Sequence, residues 1–155
     1  MQVARHESTV VEPRGELASR VMAMPANTNP RGDIFGGWIM ALMDSAGAIT
    51  ARTHANGNVA TVSVSNIVFL RPVEVGDTVC CYTDVTRIGH TSITLCVEVW
   101  VLRLSQGERI KVTEAEFTFV ALNENGRPRA IPDPSSPGKS QHALPHQKGQ
   151  NRSVA

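Results

Sequence analysis

One aspartate stands alone in a long apolar run. Between Trp38 and Ala51 the only charged residue is Asp44. Taking an unpaired carboxylate out of water is costly, so such a group acquires a partner or titrates abnormally. Two readings are open. Asp44 is a structural group that caps a backbone N–H or pairs with an arginine, or it is a general base or nucleophile. No basic residue lies three or four positions away, which favours chemistry. The same run opens with Gly36-Gly37. Glycines at a helix start leave backbone N–H groups uncovered at the positive end of the dipole, a place for an oxyanion. Close packing or a tight turn is the plainer account of the pair.

The two features sit seven residues apart. On one helix that is roughly 10.5 Å of rise. A carbonyl held at the glycines needs its attacking group about 3–3.5 Å from the carbon. One copy of the helix is badly placed to supply both, whereas two copies facing each other supply both. The spacing predicts a homodimer with shared sites.

The elements around these residues read as one helix and several strands. Residues 16–24 form a first strand stopped by Pro25, and 25–33 form a loop rich in turn residues. Residues 34–51, rich in Ala, Leu and Met, form a helix that stops near Asn56-Gly57. It is apolar nearly all round, which predicts burial on every side. Strands follow at 60–70, 77–88, 92–104 and 109–122. In the third of these, Ile93, Leu95, Val97, Val99 and Val101 share one face. Long antiparallel strands curving around one buried helix give an α+β fold. The organisation expected is a flexible lead-in over 1–15, one domain over 16–133 and a disordered tail over 134–155, where Pro, Ser, Gly and Gln dominate.

Composition narrows the function. The 155 residues suit one domain, and 41% hydrophobic content suffices for a core. A net charge of +1 argues against a nucleic-acid or membrane coat. The five histidines include no His-x-x-x-His pair, and Cys80, Cys81 and Cys96 lack metal-ligand spacing, so no metal or other cofactor is expected. No export signal or apolar span of about 18 residues is visible, which predicts a cytoplasmic protein without membrane insertion.

Several motifs occur in order: Met24-Pro25, then Gly32-Asp33-Ile34-Phe35-Gly36-Gly37-Trp38-Ile39-Met40, Met43-Asp44, Phe69-Leu70-Arg71-Pro72-Val73, Val75-Gly76-Asp77, Val97-Glu98-Val99-Trp100-Val101 and Phe117-Thr118-Phe119-Val120. Together, over about residues 17–132, they resemble the YciA-type acyl-CoA thioesterases. The resemblance implies a hot-dog fold, a double-hot-dog dimer and a trimer of such dimers. It implies hydrolysis of acyl-CoA, with Asp44 at the catalytic acid position and Gly36 and Gly37 in the oxyanion segment. Asp33 matches a polar position facing the partner's catalytic acid. The segment Arg87-Ile88-Gly89-His90-Thr91-Ser92 matches a stretch along the pantetheine and phosphates of CoA, although taken by itself it reads as a bulge or tight connection. His90 stands where relatives commonly carry a basic residue. Arg71, Arg87, Arg127 and Arg129 are phosphate candidates or plain surface charges. No metal is needed, because the thiolate of CoA leaves readily. An acyl-thioester hydratase or dehydratase, or an acyl-CoA sensor, are the alternatives. The first usually wants a histidine near the helix, and His54 lies ten residues from Asp44.

Overall fold

A computed structural model describes residues 11–133. The expected tail lies outside them. Five strands form one antiparallel sheet in the order β1-β3-β4-β5-β2, with β1 at Glu16–Met22, β2 at Val59–Ser65, β3 at Thr78–Ile88, β4 at Ser92–Arg103 and β5 at Glu108–Ala121. A single helix, α1, runs from Gly36 to Ala55 and packs against all five strands. This is the sheet-around-helix architecture of the hot-dog fold.

The helix ends at Ala55, at the Asn56-Gly57 stop expected from the sequence. Its stop is Asn56, which takes the left-handed conformation while the Gly57 N–H donates to the carbonyl of Arg52. Arg129 finishes the cap by donating to the Ala55 carbonyl at 2.8 Å. That employment, with a second bond to the Leu122 carbonyl, commits Arg129 to the fold rather than to a phosphate.

The expectation of burial on every side is wrong within one protomer. Ile39, Met43, Ala46, Gly47, Ala51 and Ala55 form a buried stripe, while Gly37, Met40, Ala41, Ser45 and Ile49 are exposed. The all-apolar composition therefore serves two faces, of which the sheet covers one. The close approach is made by Gly47: a Cβ there would sit 2.9 Å from the Phe119 ring and 3.3 Å from Leu95. Phe119 stacks on Phe117, with ring centres 6.2 Å apart, on the inner face of β5.

The strand expected over 60–70 ends at Ser65. Asn66 has φ +61°, which breaks the ladder, and 66–77 continue as irregular chain. The inward residues of β4, Ile93 through Val101, are buried as expected. Its outer face is also largely covered, with Arg14 and Lys111 lying over Cys96 and Glu98. Glu98 is only 2% exposed there. It accepts from Arg14 Nε at 2.7 Å, Trp100 Nε1 at 2.8 Å and Lys111 Nζ at 3.1 Å. Arg14, in the segment read as a lead-in, thus straps the chain across the sheet. The adjacent Gly15 must be glycine, since its φ is +77° and a Cβ would fall on the Thr83 carbonyl.

This outer-face network has a pH signature. Burial pushes the Glu98 carboxyl up, but the hydrogen bonds from Arg14, Trp100 and Lys111 outweigh it and hold the group at about 2. An unfolded glutamate titrates near about 4.3. A depressed folded value means stability that is fully present above the unfolded value and is lost as pH falls toward 2. Melting temperatures measured from pH 6 to pH 2 should therefore drop through that window. In Glu98→Gln that part of the slope should vanish. An unchanged slope in the variant would remove Glu98 from the account.

Candidate active site

Asp44 lies mid-helix, one turn before the buried Gly47, and is half-buried rather than enclosed. The Thr61 hydroxyl of β2 donates a short hydrogen bond to Asp44 Oδ1. The partner is neither a backbone N–H nor an arginine but a neutral side chain from the next strand. A threonine in a Val-Ala-Thr-Val-Ser run carries no signal of this contact, which arises from strand register. Thr61 sits where the β2–β5 pairing shifts, before Ser63, and its cross-strand neighbour is Phe119. The bond uses Oδ1 and leaves Oδ2 outside it.

Gly36 and Gly37 form the first turn of α1. Phe35 is the N-cap and supplies no side-chain cap, and the first turn contains no acidic residue. The N–H groups of Trp38 and Ile39 both turn to the Phe35 carbonyl. A Cβ on Gly36 would touch the Phe69 ring at 3.4 Å, whereas one on Gly37 would meet nothing within 4 Å. Close packing thus accounts for Gly36 in part and for Gly37 not at all. A cleft of about 370 Å3 opens at this helix start, lined by Asp33, Ile34, Gly36, Ile39 and the 69–73 segment, including Arg71. Asp44 does not line it. The helix is continuous from Gly36 to Ala55, so Gly37 and Asp44 are separated along its axis as the spacing requires.

The loop before the helix is tied by Asn29. Its amide oxygen accepts from the N–H groups of Arg31 at 2.9 Å and Asp33 at 3.2 Å, and its own N–H donates to the Asp33 carbonyl at 2.7 Å. Asp33 is half-buried at the cleft rim.

The segment Arg87 to Ser92 combines both plain readings, a bulge before Arg87 and a tight β3–β4 hairpin. Gly89 N–H donates to the Ser92 carbonyl at 2.7 Å. The carbonyls of His90 and Thr91 accept from Ile131 and Ala121, at 2.8 and 2.9 Å, which fixes the hairpin to the end of β5 and to the chain after it. Arg87 and His90 are exposed, and Thr91 and Ser92 half-buried. Register runs Thr61–Phe119–Ile93–Ile88 across four strands, so the hairpin shares one end of the sheet with the Asp44 contact. Arg71 lies instead with the cleft at the helix start, and the protomer does not bring the two groups together.

One acidic cluster appears that linear spacing could not show. Cys96, Glu98 and Glu114 place ligand-type atoms within 4.8 Å of one another. Glu98 and Glu114 are both paired to Arg14 and Lys111, and Arg14 also reaches the Cys96 sulfur at 3.4 Å. Cations already occupy the place a metal ion would take.

Residues 31–106 match the family model described as the thioesterase superfamily. Over 123 residues the chain is 52% identical to the acyl-CoA thioester hydrolase YciA of Salmonella typhimurium, covering 77% of this chain and 92% of that protein. The chain belongs to the YciA family. Members of this family are acyl-CoA thioester hydrolases, and the chain is an enzyme of that class. Among solved structures, a hexameric thioesterase of Yersinia pestis superposes with a TM-score of 0.76 at 53% identity, covering 79% of this chain and 99% of that one. An acyl-CoA hydrolase of Staphylococcus aureus, solved with butyryl coenzyme A, superposes with a TM-score of 0.68 at 31% identity, covering 74% and 70%. That hydrolase has also been solved as two variants, with an asparagine or an aspartate replaced by alanine, at positions fifteen residues apart. YciA-family membership agrees with the resemblance drawn from the motifs. No helix of the described residues is long and apolar enough to cross a membrane.

Proposed function

We propose that the chain hydrolyses acyl-CoA to free acid and CoA at sites shared between two copies. Asp44 of one copy faces the Gly36-Gly37 helix start of the other. The observation that carries this is the seven-residue separation of the two features on one unbroken helix. The exposed helix face supports it, together with the open edge of β2, where Val62 and Val64 are exposed. An edge strand with apolar residues and a second apolar helix face are surfaces that a second copy would cover. Three such dimers would make the hexamer found in the Yersinia pestis relative.

In this reading a water attacks the thioester carbonyl carbon. Its proton passes to Asp44 Oδ2, while Thr61 holds Oδ1 and so fixes the carboxylate plane. The Gly36 and Gly37 N–H groups receive the oxyanion. The C–S bond then breaks and CoA leaves as thiolate. Asn29 and Asp44 keep the fifteen-residue spacing of the two positions replaced in the Staphylococcus aureus hydrolase. The side-chain NH2 of Asn29, a donor that the Oδ1 bonds do not use, suits it to orient the water or the carbonyl, with Asp33 shaping its loop. Motif reading singled out Asp33 and passed over Asn29, because asparagine in a turn-rich loop looks like turn chemistry alone. Arg71, Arg87 and the Gly89, His90, Thr91 and Ser92 hairpin are assigned to CoA.

Thr61→Val removes the hydroxyl and keeps the shape. It should lower kcat about tenfold with little change in KM, as loss of orientation does. Free-thiol release measured over a range of acyl-CoA concentrations checks this, and an unaltered kcat would remove Thr61 from the site.

No cofactor is assigned. Dialysis against EDTA should leave turnover unchanged in the same assay. A loss that zinc or magnesium restores would reveal a metal site. A reducing, cytoplasmic setting fits the three free thiols Cys80, Cys81 and Cys96.

A further inference from the structure

The sequence motif Val75-Gly76-Asp77 has no part in the chemistry above, yet Asp77 is 3% exposed. Its carboxylate accepts two bonds from Arg103 at the end of β4, Nε to Oδ1 at 3.0 Å and Nη2 to Oδ2 at 2.8 Å. The same guanidinium donates to the Pro72 carbonyl at 3.3 Å and pairs with Glu74 at 3.0 Å. Asp77 in turn accepts from the Glu74 N–H at 2.9 Å. One planar fork therefore fixes Pro72, Glu74 and Asp77.

What lies between these residues is the back wall of the helix-start cleft. Phe69 through Val73 line it, and Phe69 packs on Gly36. The Val73 carbonyl, between the anchored Pro72 and Glu74, accepts from the Ile34 N–H at 3.0 Å. Ile34 is two residues before Gly36, and the Phe35 N–H is tied to the Asn27 carbonyl at 2.9 Å. Hydrogen bonds joined by one- and two-residue stretches of backbone thus connect the β4 terminus to the residues that set the first turn of α1. Buried ion pairs are poor sources of stability, because desolvation offsets their attraction. Their geometry is what they contribute, and a bidentate arginine fork contributes more of it than a lysine.

We infer that Arg103, locked to Asp77, is a positioning residue that sets the Phe69–Val73 wall and through it the Gly36-Gly37 oxyanion donors. This rests on the proposed role of the helix start. It makes no contact with Asp44 and acts through the wall, so its main effect is on kcat, with a smaller rise in KM where Arg71 of the same wall shifts.

The test compares Arg103→Lys and Asp77→Asn with the wild-type oligomer, using Asp44→Ala as a control in the same assay. Lysine keeps the charge opposite Asp77 but cannot reach Asp77, Pro72 and Glu74 together. Asparagine keeps the shape and loses the charge. Both variants should stay folded by circular dichroism and keep the wild-type oligomer size, with kcat down about tenfold and KM within about threefold, since small misplacements are costly. A kcat within twofold of wild type in both variants overturns the inference. So does loss of the folded state in both, because the pair would then be a requirement of the fold alone. So, too, does a rise in KM at constant kcat. An active Asp44→Ala control would instead overturn the reading of the site on which this rests.

Discussion

Asp44→Ala should release free CoA at least about 10²-fold more slowly than the parent chain, the scale of general-base help. The expectation rests on position. Asp44 is the sole charge between Trp38 and Ala51, it is half-buried, and its one described partner is a hydroxyl that donates to Oδ1. A carboxylate held by one hydroxyl at one oxygen leaves the other oxygen for chemistry, whereas one held through both oxygens by an arginine, as Asp77 is, does not. The substitution removes a partly exposed group and opens no core cavity, so the folded state and oligomer size should survive. Asp44→Asn keeps the Thr61 contact and removes the basic oxygen, so it should be impaired about as strongly. Near-parental turnover in folded Asp44→Ala would take Asp44 out of the reaction. If asparagine were active and alanine inactive, the role of Asp44 would be to hold a hydrogen bond rather than a proton.

Restored activity in mixed oligomers is the second large effect. Asp44→Ala and Gly37→Val should each be inactive alone. The first lacks the base, and the second places a branched side chain on an exposed position whose surroundings are open within the protomer. If sites are shared, a mixed dimer holds one site with both defects and one with neither. Subunit exchange should then return activity up to about half of the parental value per mixed dimer, provided that sites act independently. Differently tagged chains and a double pull-down identify the mixed species. Verified mixed oligomers that remain inactive, with both variants folded, would refute shared sites. Oxyanion donors would then have to be sought nearer Asp44 in its own chain.

The sequence by itself determined the helix, the number and order of the main strands, and the presence of a lone carboxylate and a glycine pair on that one helix. These are local or periodic signals. Apolar alternation reports a sheet face, Asn56-Gly57 reports a helix end, and a lone aspartate in an apolar run is conspicuous because burying charge is expensive. The tertiary structure decided what depends on residues far apart in the chain. Strand register brought Thr61 to Asp44 across seventeen positions. It carried Arg14 to Glu98 and Arg103 to Asp77, and it sent Arg129 to the end of the helix. It also showed that the apolar helix buries one stripe and leaves another open, a distinction composition cannot make because both faces are equally apolar. A strand read to residue 70 stopped at Ser65 because one asparagine took a left-handed conformation, a choice that β-rich sequence on either side does not disclose.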